Sequence, residues 1–301
     1  EKHSNDFGAS EEFKTWVNEN CVFLNNLVDR IVPGFPSANA DEYFENLGYK
    51  DGALSMCEPY FLWAIEGDKE LDNILPLNAS GLNVQWLESL SDTQLLKVRI
   101  LNGSHTLITP LSILKGFKQV DEVVENDEMK AFLNETLENE ILPSIKNKTG
   151  NKEEFASTVL SRFRNPHIMH KLESISMNSV SKFANRLWPT VKTYIEDNNK
   201  APKNIMVGLA GLIRFYQIEK TENGYVGKDF NGSEYKVFDT PEVLEFMYNV
   251  NKKYEVKNEE YVREILSETK LWGEDLSVYT GMVDEVCQNL KNMGNIVCVN
   301  L

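Results

Sequence analysis

The stretch Ser91-Asp92-Thr93-Gln94-Leu95-Leu96-Lys97-Val98-Arg99-Ile100-Leu101-Asn102-Gly103-Ser104-His105 opens the part of the chain in which helical patterns dominate. Ser91 followed three residues later by Gln94 reads as a capping box, so a helix is expected to start here, with Lys97 in its second turn. At the winding of an α-helix, Asn102 lies about 140° and His105 about 80° from Lys97, so the three share one half of the surface. Side chains lean toward a helix N-terminus, which tips Asn102 and His105 back toward Lys97. Gly103 costs about 1 kcal/mol against alanine inside a helix, and its presence suggests that something approaches the backbone closely.

A lysine, an amide and an imidazole on one side of a helix suit the interconversion of a carbonyl and an alcohol. The group that protonates a ketone oxygen, or deprotonates a secondary alcohol, works best when it titrates near the operating pH. A free lysine titrates near about 10.4, and burial and the positive end of a helix both lower it. The amide and the imidazole can donate hydrogen bonds to the oxygen as negative charge builds there. The same spacing also fits an ordinary amphipathic helix with a solvated Lys97 and a satisfied core histidine, and spacing alone does not separate the two.

The rest of the chain bounds these readings. Its 301 residues can bury a substantial core and accommodate two domains. With 42% hydrophobic and 26% charged residues it has the composition of a globular protein. A net charge of −15 argues against general binding of nucleic acid or a membrane surface, and an anionic substrate would need a local basic pocket. Cys21, Cys57, Cys287 and Cys298 are far apart, without CxxC spacing. They read as free buried thiols in a reducing compartment, so a cytoplasmic location is expected. No signal peptide or apolar run of transmembrane length is visible. No Gly-x-Gly-x-x-Gly or phosphate-loop pattern occurs, and Gly208 and Gly211 lie in an apolar helical run.

Before residue 88 the pattern is mixed. Glu12–Asn20 reads as a helix, and Val22–Ile31 and Tyr60–Ile65 read as strands, the first broken by Pro33-Gly34-Phe35-Pro36. Helices follow at Asp127–Leu142, which Pro143 should end, and at Phe155–Phe163, stopped by Asn165-Pro166. The longest candidate is Ile168–Tyr194, with a buried stripe of Leu172, Ile175, Ser179, Phe183 and Leu187 and a kink or end at Pro189. Lys203–Tyr216 is apolar nearly all round and should be central. Gly224–Phe238 fits a loop or a small hairpin. Pro241–Tyr254, Asn258–Glu268 and Leu276–Met293 should close the domain.

Arg162, His167, His170 and Lys171 form a basic cluster between two helices. In so acidic a chain this is a plausible carboxylate pocket, or else a solvated helix start. His167 and His170 have a spacing open to metal ligands, but two ligands do not complete a tetrahedral site, and no metal is expected. Asp29-Arg30 follows an apolar run, where such a pair is most often a local salt bridge.

Several segments in order resemble one family. Lys97-x4-Asn102-x2-His105 is similar to the signature of the polyol-specific long-chain dehydrogenases, the mannitol dehydrogenase family. So are Asn26-Leu27-Val28-Asp29-Arg30-Ile31-Val32-Pro33-Gly34, Glu58-Pro59-Tyr60-Phe61-Leu62-Trp63-Ala64-Ile65-Glu66-Gly67 and Arg162-Phe163-Arg164-Asn165-Pro166. The resemblance runs from about residue 9 to at least residue 217, and in detail it is greatest to members that act on hexuronates.

The resemblance implies a mainly α fold: a helical C-terminal dehydrogenase domain, like that of 6-phosphogluconate dehydrogenase, over 89–301. Ahead of it, 1–88 would be a small mixed α/β segment left from the cofactor domain. It implies NAD as cofactor, Lys97, Asn102 and His105 as catalytic residues, and no metal. Asp29, Arg162 and one of His170 or Lys171 would contact a sugar acid. It further implies that a dinucleotide-binding half precedes this sequence and is its partner. Siblings acting on fructuronate, mannitol or mannitol phosphate are the near alternatives. A non-catalytic helical interaction module is the alternative from another class, motivated by the missing cofactor motif.

Overall fold

The helix at Ser91 runs as an α-helix only to Leu96, and its winding then changes. Lys97–Asn102 is a π-helical turn, in which the Gly103 N–H donates to the Val98 carbonyl five residues back. Gly103–Leu114 resumes the α-helix. The expected capping box is not what starts it, because the Ser91 N–H donates to Ser89 Oγ (3.2 Å) rather than to a Gln94 side chain. The structure, a computed structural model, describes residues 2–148 and 150–296; Cys298 lies outside the described residues.

The chain divides into two units, Glu1–Arg30 with Glu58–Thr93, and Ile31–Cys57 with Gln94–Leu301. The second therefore includes a stretch, 31–57, that a linear boundary at residue 88 assigns to the first. In the first unit, β1 (Asn25–Asp29) pairs antiparallel with β2 (Leu62–Glu66), and β2 pairs parallel with β3 (Val84–Leu87). β1 falls within the expected run Val22–Ile31, β2 overlaps Tyr60–Ile65 and runs one residue further, and β3 was not foreseen. Ser10 caps the Glu11–Asn20 helix through the Phe13 N–H.

The second unit is mostly helical. At its centre the Lys203–Phe215 helix packs against both Gly103–Leu114 and Met282–Ile296. The reason lies in two glycines. A Cβ on Gly208 would stand 2.5 Å from Leu107 Cδ1, and one on Gly211 would stand 2.7 Å from Leu111 Cγ. The absence of side chains there lets the helix carrying His105 lie directly on the central one, and Leu107 is 1% exposed as a result. Gly103 differs from the sequence expectation. Its backbone is ordinary α-helix, and an added Cβ would meet Leu187 Cδ2 at 3.4 Å, a normal contact.

A second π turn, Leu137–Ile141, follows the Asp127–Thr136 helix. It carries Glu140, which is 4% exposed, to the start of the central helix. There its two oxygens accept from the Asn204 N–H (2.7 Å) and the Ile205 N–H (2.8 Å), supplying partners that a helix N-terminus lacks. Pro143 does not stop this segment. It sits in the first turn of Leu142–Ser144, where its missing N–H costs nothing.

The long helix expected over 168–194 is broken into Leu172–Ser176, Ser179–Arg186 and Trp188–Asn198. Asn178 adopts the left-handed conformation (φ 55°), which asparagine tolerates better than most residues. Lys182 Nζ then donates to the Ile175 carbonyl released by the break (2.8 Å). The stripe Leu172, Ile175, Ser179, Phe183, Leu187 is nevertheless buried throughout. Within Gly224–Phe238 the hairpin alternative is the one found, as β5 (Gly224–Lys228) and β6 (Glu234–Val237), and β4 (Ile218–Thr221) adds a third antiparallel strand. Among the described residues Cys287 is buried, but Cys21 is half-buried and Cys57 exposed, which corrects the expectation of buried thiols.

Two substitutions test this packing by urea unfolding. Gly211→Ala should destabilise by about 1–3 kcal/mol, because Leu111 Cγ is not a free end that can swing away. Glu140→Ala should cost about 3 kcal/mol by leaving two buried N–H groups without acceptors. An unchanged midpoint in either variant contradicts the corresponding contact.

Candidate active site

The π turn alters the angular arithmetic of the first motif. It holds one residue more than an α turn, so positions five and eight apart behave like positions four and seven apart. That is the spacing of a single helical face. Lys97, Asn102 and His105 therefore line up along the helix more closely than the roughly 140° and 80° of uninterrupted α winding. Lys97 and Asn102, at the two ends of the π turn, are half-buried, and His105, in the first α turn beyond it, is 5% exposed.

Three further elements converge on this face. The Lys152–Phe163 helix packs against the π turn and ends with Arg162, 7% exposed, and Phe163. Phe163 stacks on the His105 ring with centroids 4.2 Å apart. The turn that follows is held by Asn165, whose Oδ1 accepts from the His167 N–H (3.1 Å). Met169 then adopts a left-handed φ of 47°, a conformation that costs a non-glycine residue about 1–2 kcal/mol. Beyond it the chain makes a β-bridge with Gln119, the Val120 N–H donating to the His170 carbonyl (3.1 Å).

This turn decides which basic residue faces His105. The His170 ring meets it edge-on at 5.1 Å. Lys171 is exposed and lines an outer cleft with Gln119 and Met169, a cleft that His170 also borders. His167 is exposed too. Among the described residues no group of three His, Cys, Asp or Glu side chains is placed to hold a metal ion.

The Ser179–Arg186 helix, packed on both the π turn and the Gly103–Leu114 helix, contributes two cations that the sequence reading passed over. Arg186 Nη1 lies 3.3 Å from Thr106 Oγ1, and Arg99 in turn donates to the Arg186 carbonyl (3.0 Å). Lys182 and Arg186 are four residues apart on a helix, so their shared face was the available signal. Burial, and then the positive potential of His170, Arg186, Arg162 and Lys182, hold the His105 pKa well below its usual value. The imidazole is therefore neutral at neutral pH. Burial also lowers Lys182 and Arg186.

Asp29 lies in the other unit. It ends β1, opposite Leu62, and is buried. Its neighbour Arg30 donates through Nε to the Glu58 carbonyl (2.9 Å) and stands over the Phe61 ring.

Comparison with known proteins also gives two parts, but with 31–57 in the first of them. Residues 90–294 match the mannitol dehydrogenase C-terminal domain, and residues 4–79 match the mannitol dehydrogenase Rossmann domain. The chain belongs to the mannitol dehydrogenase family. The second match also corrects part of the sequence reading: the cofactor domain is represented in this chain, although no glycine-rich fingerprint occurs in it. The chain is 37% identical over 297 residues to an altronate oxidoreductase of Halalkalibacterium halodurans, covering 96% of this chain and 57% of that protein. It is 37% identical over 283 residues to an altronate oxidoreductase of Bacillus subtilis, covering 94% and 55%. The chain thus spans little more than half the length of these relatives. Its fold is shared with a Pseudomonas fluorescens mannitol 2-dehydrogenase solved as a ternary complex with NAD and D-mannitol. That match has a TM-score of 0.76 at 22% identity and covers 95% of this chain and 55% of the other. No helix among the described residues is long and apolar enough to cross a membrane.

The state of His105 has a measurable consequence. In the unfolded chain His105 takes up a proton near about pH 6.5, and in the folded chain it does so only well below that. The unfolded state therefore binds more protons, and stability should fall as pH drops below about 6.5. Urea midpoints measured between about pH 7.5 and 5 should show this slope in the wild type and a flatter one in His105→Gln. Equal slopes would mean that His105 is not held neutral.

Proposed function

We propose that the protein is an oxidoreductase that moves a hydride between a nicotinamide cofactor and the secondary carbinol of a sugar acid, with tagaturonate and altronate as the pair. The observation that carries this reading is the single helical face bearing Lys97, Asn102 and His105, ringed by Arg162, Lys182 and Arg186. The altronate oxidoreductase relatives support the substrate class. The cations favour an acid over the neutral polyols of sibling enzymes, since a chain of charge −15 repels an anion everywhere else. The helical unit is read as the counterpart of the 6-phosphogluconate dehydrogenase C-terminal domain.

The roles follow from protonation. His105, held neutral, is a hydrogen-bond donor to the reacting oxygen rather than its acid. Proton transfer at that oxygen then falls to Lys97, as acid in reduction and base in oxidation. Asn102, between them on the same face, orients the oxygen. Arg162 supplies a planar fork for the carboxylate, with His170 beside it and the exposed Lys171 set aside. Asp29 is assigned to substrate contact on the family resemblance. The chemistry a nicotinamide cofactor supplies when bound is hydride donation and acceptance. Among the described residues no glycine-rich turn joins a strand to a helix N-terminus, so no residue of this chain is assigned to the cofactor's pyrophosphate.

The test is an assay of the protein, expressed from its full reading frame, against hexuronates and neutral polyols with NAD and NADP. Lys97→Ala should lower turnover by about 10²–10⁴-fold with little change in fold. Retention of more than about a tenth of the activity rules out proton transfer by Lys97. Arg162→Lys should raise KM for the hexuronate far more than for a neutral polyol, because lysine cannot reproduce the two-point contact. Equal losses on charged and neutral substrates would make Arg162 a support of the Asn165-Pro166 turn instead.

A further inference from the structure

Beside His105 lies a small recess lined by His105, Asp121, Arg162, Phe163 and His170. Its volume is about 10 Å³, room for one water. His105 Nε2 and Asp121 Oδ1, both in this region, are buried without a hydrogen-bond partner among the described residues. His105 is 95% buried by the complement of its 5% exposure, and its ring is clamped between Phe163 and His170, so it cannot turn to find another partner. Asp121 comes from the first turn of the Val120–Glu125 helix, beside the bridge that fixes His170.

We propose that Asp121 is a positioning residue that sets the tautomer of His105 through a single water in this recess. The inference rests on the proposed role of His105. A carboxylate oxygen only accepts, so the water must donate one hydrogen to Asp121 Oδ1. Its second hydrogen then goes to His105 Nε2, and its own oxygen accepts from the Arg162 guanidinium, which has five donors and no acceptor. A neutral imidazole that accepts at Nε2 carries its proton on Nδ1. His105 thereby presents an N–H toward the reacting oxygen, the form that stabilises developing negative charge. The opposite tautomer would present a lone pair there and repel it. The charged groups facing His105 from neighbouring elements, His170, Arg162, Lys182 and Arg186, all disfavour a doubly protonated ring, so one of the two neutral tautomers has to be chosen.

Long-range proton–nitrogen correlation spectra of the imidazoles test this directly. The chain has four histidines, and His105→Gln assigns the relevant signals. The wild type should show His105 protonated on Nδ1. Asp121→Ala should shift it toward the Nε2–H form and lower kcat by about tenfold or more, whereas Asp121→Asn, which keeps an acceptor, should retain Nδ1–H. An Nε2–H ring in the wild type, or an unchanged tautomer in Asp121→Ala, overturns the proposal. The wild-type spectrum decides the matter even if Asp121→Ala does not fold. A tautomer that moves while turnover stays constant supports the positioning by Asp121 and removes His105 from the catalytic assignment.

Discussion

The contact on which the second unit depends is glycine against leucine, Gly208 on Leu107 and Gly211 on Leu111. Two helices can approach this closely only where one of them lacks side chains, and here the partner helix is the one that begins with Asn102, Gly103 and His105. The central helix is also gripped at its start by Glu140, a buried carboxylate brought in from another segment. A rigid platform results beneath the candidate site, with the outer helices free to supply charged groups around it. This division of labour is common where a reacting group must be held to within a fraction of an ångström.

Electrostatically the site inverts the character of the chain. A protein with a net charge of −15 gathers Arg162, Lys182 and Arg186 around one buried histidine. The arrangement costs desolvation, visible in the lowered pKa values of Lys182 and Arg186. It provides a local field opposite in sign to the global one. The strained backbone at Met169 belongs to the same pattern, since it turns His170 inward and leaves Lys171 in solvent.

Much of this was legible in the sequence, for identifiable reasons. The helices at Glu11–Asn20, Lys203–Phe215 and Pro241–Lys253 show strong periodicity and clear ends, and they fall where expected. The family resemblance rested on ordered segments, each of which occupies a definable place in the fold. What escaped was local. A π turn leaves no mark on hydrophobic periodicity beyond a one-residue slip, so the facing of Lys97, Asn102 and His105 was underestimated. The break at Asn178 was hidden because the buried stripe continues across it. Lys182 and Arg186 were passed over because their sequence distance from Arg162 concealed their convergence on His105. The β4–β6 sheet was blurred by short strands between glycine turns.

The π turn has a further consequence, best put in terms of insertions and deletions. A turn that holds one surplus residue is a stored insertion. Removing one residue between Lys97 and Asn102 would let the backbone relax to plain α winding while the motif residues kept their common face. Adding one would leave the turn two residues over and rotate Lys97 away from the others by about a quarter of a turn. The backbone around the candidate site is thus asymmetric toward length change, able to absorb a loss but not a gain.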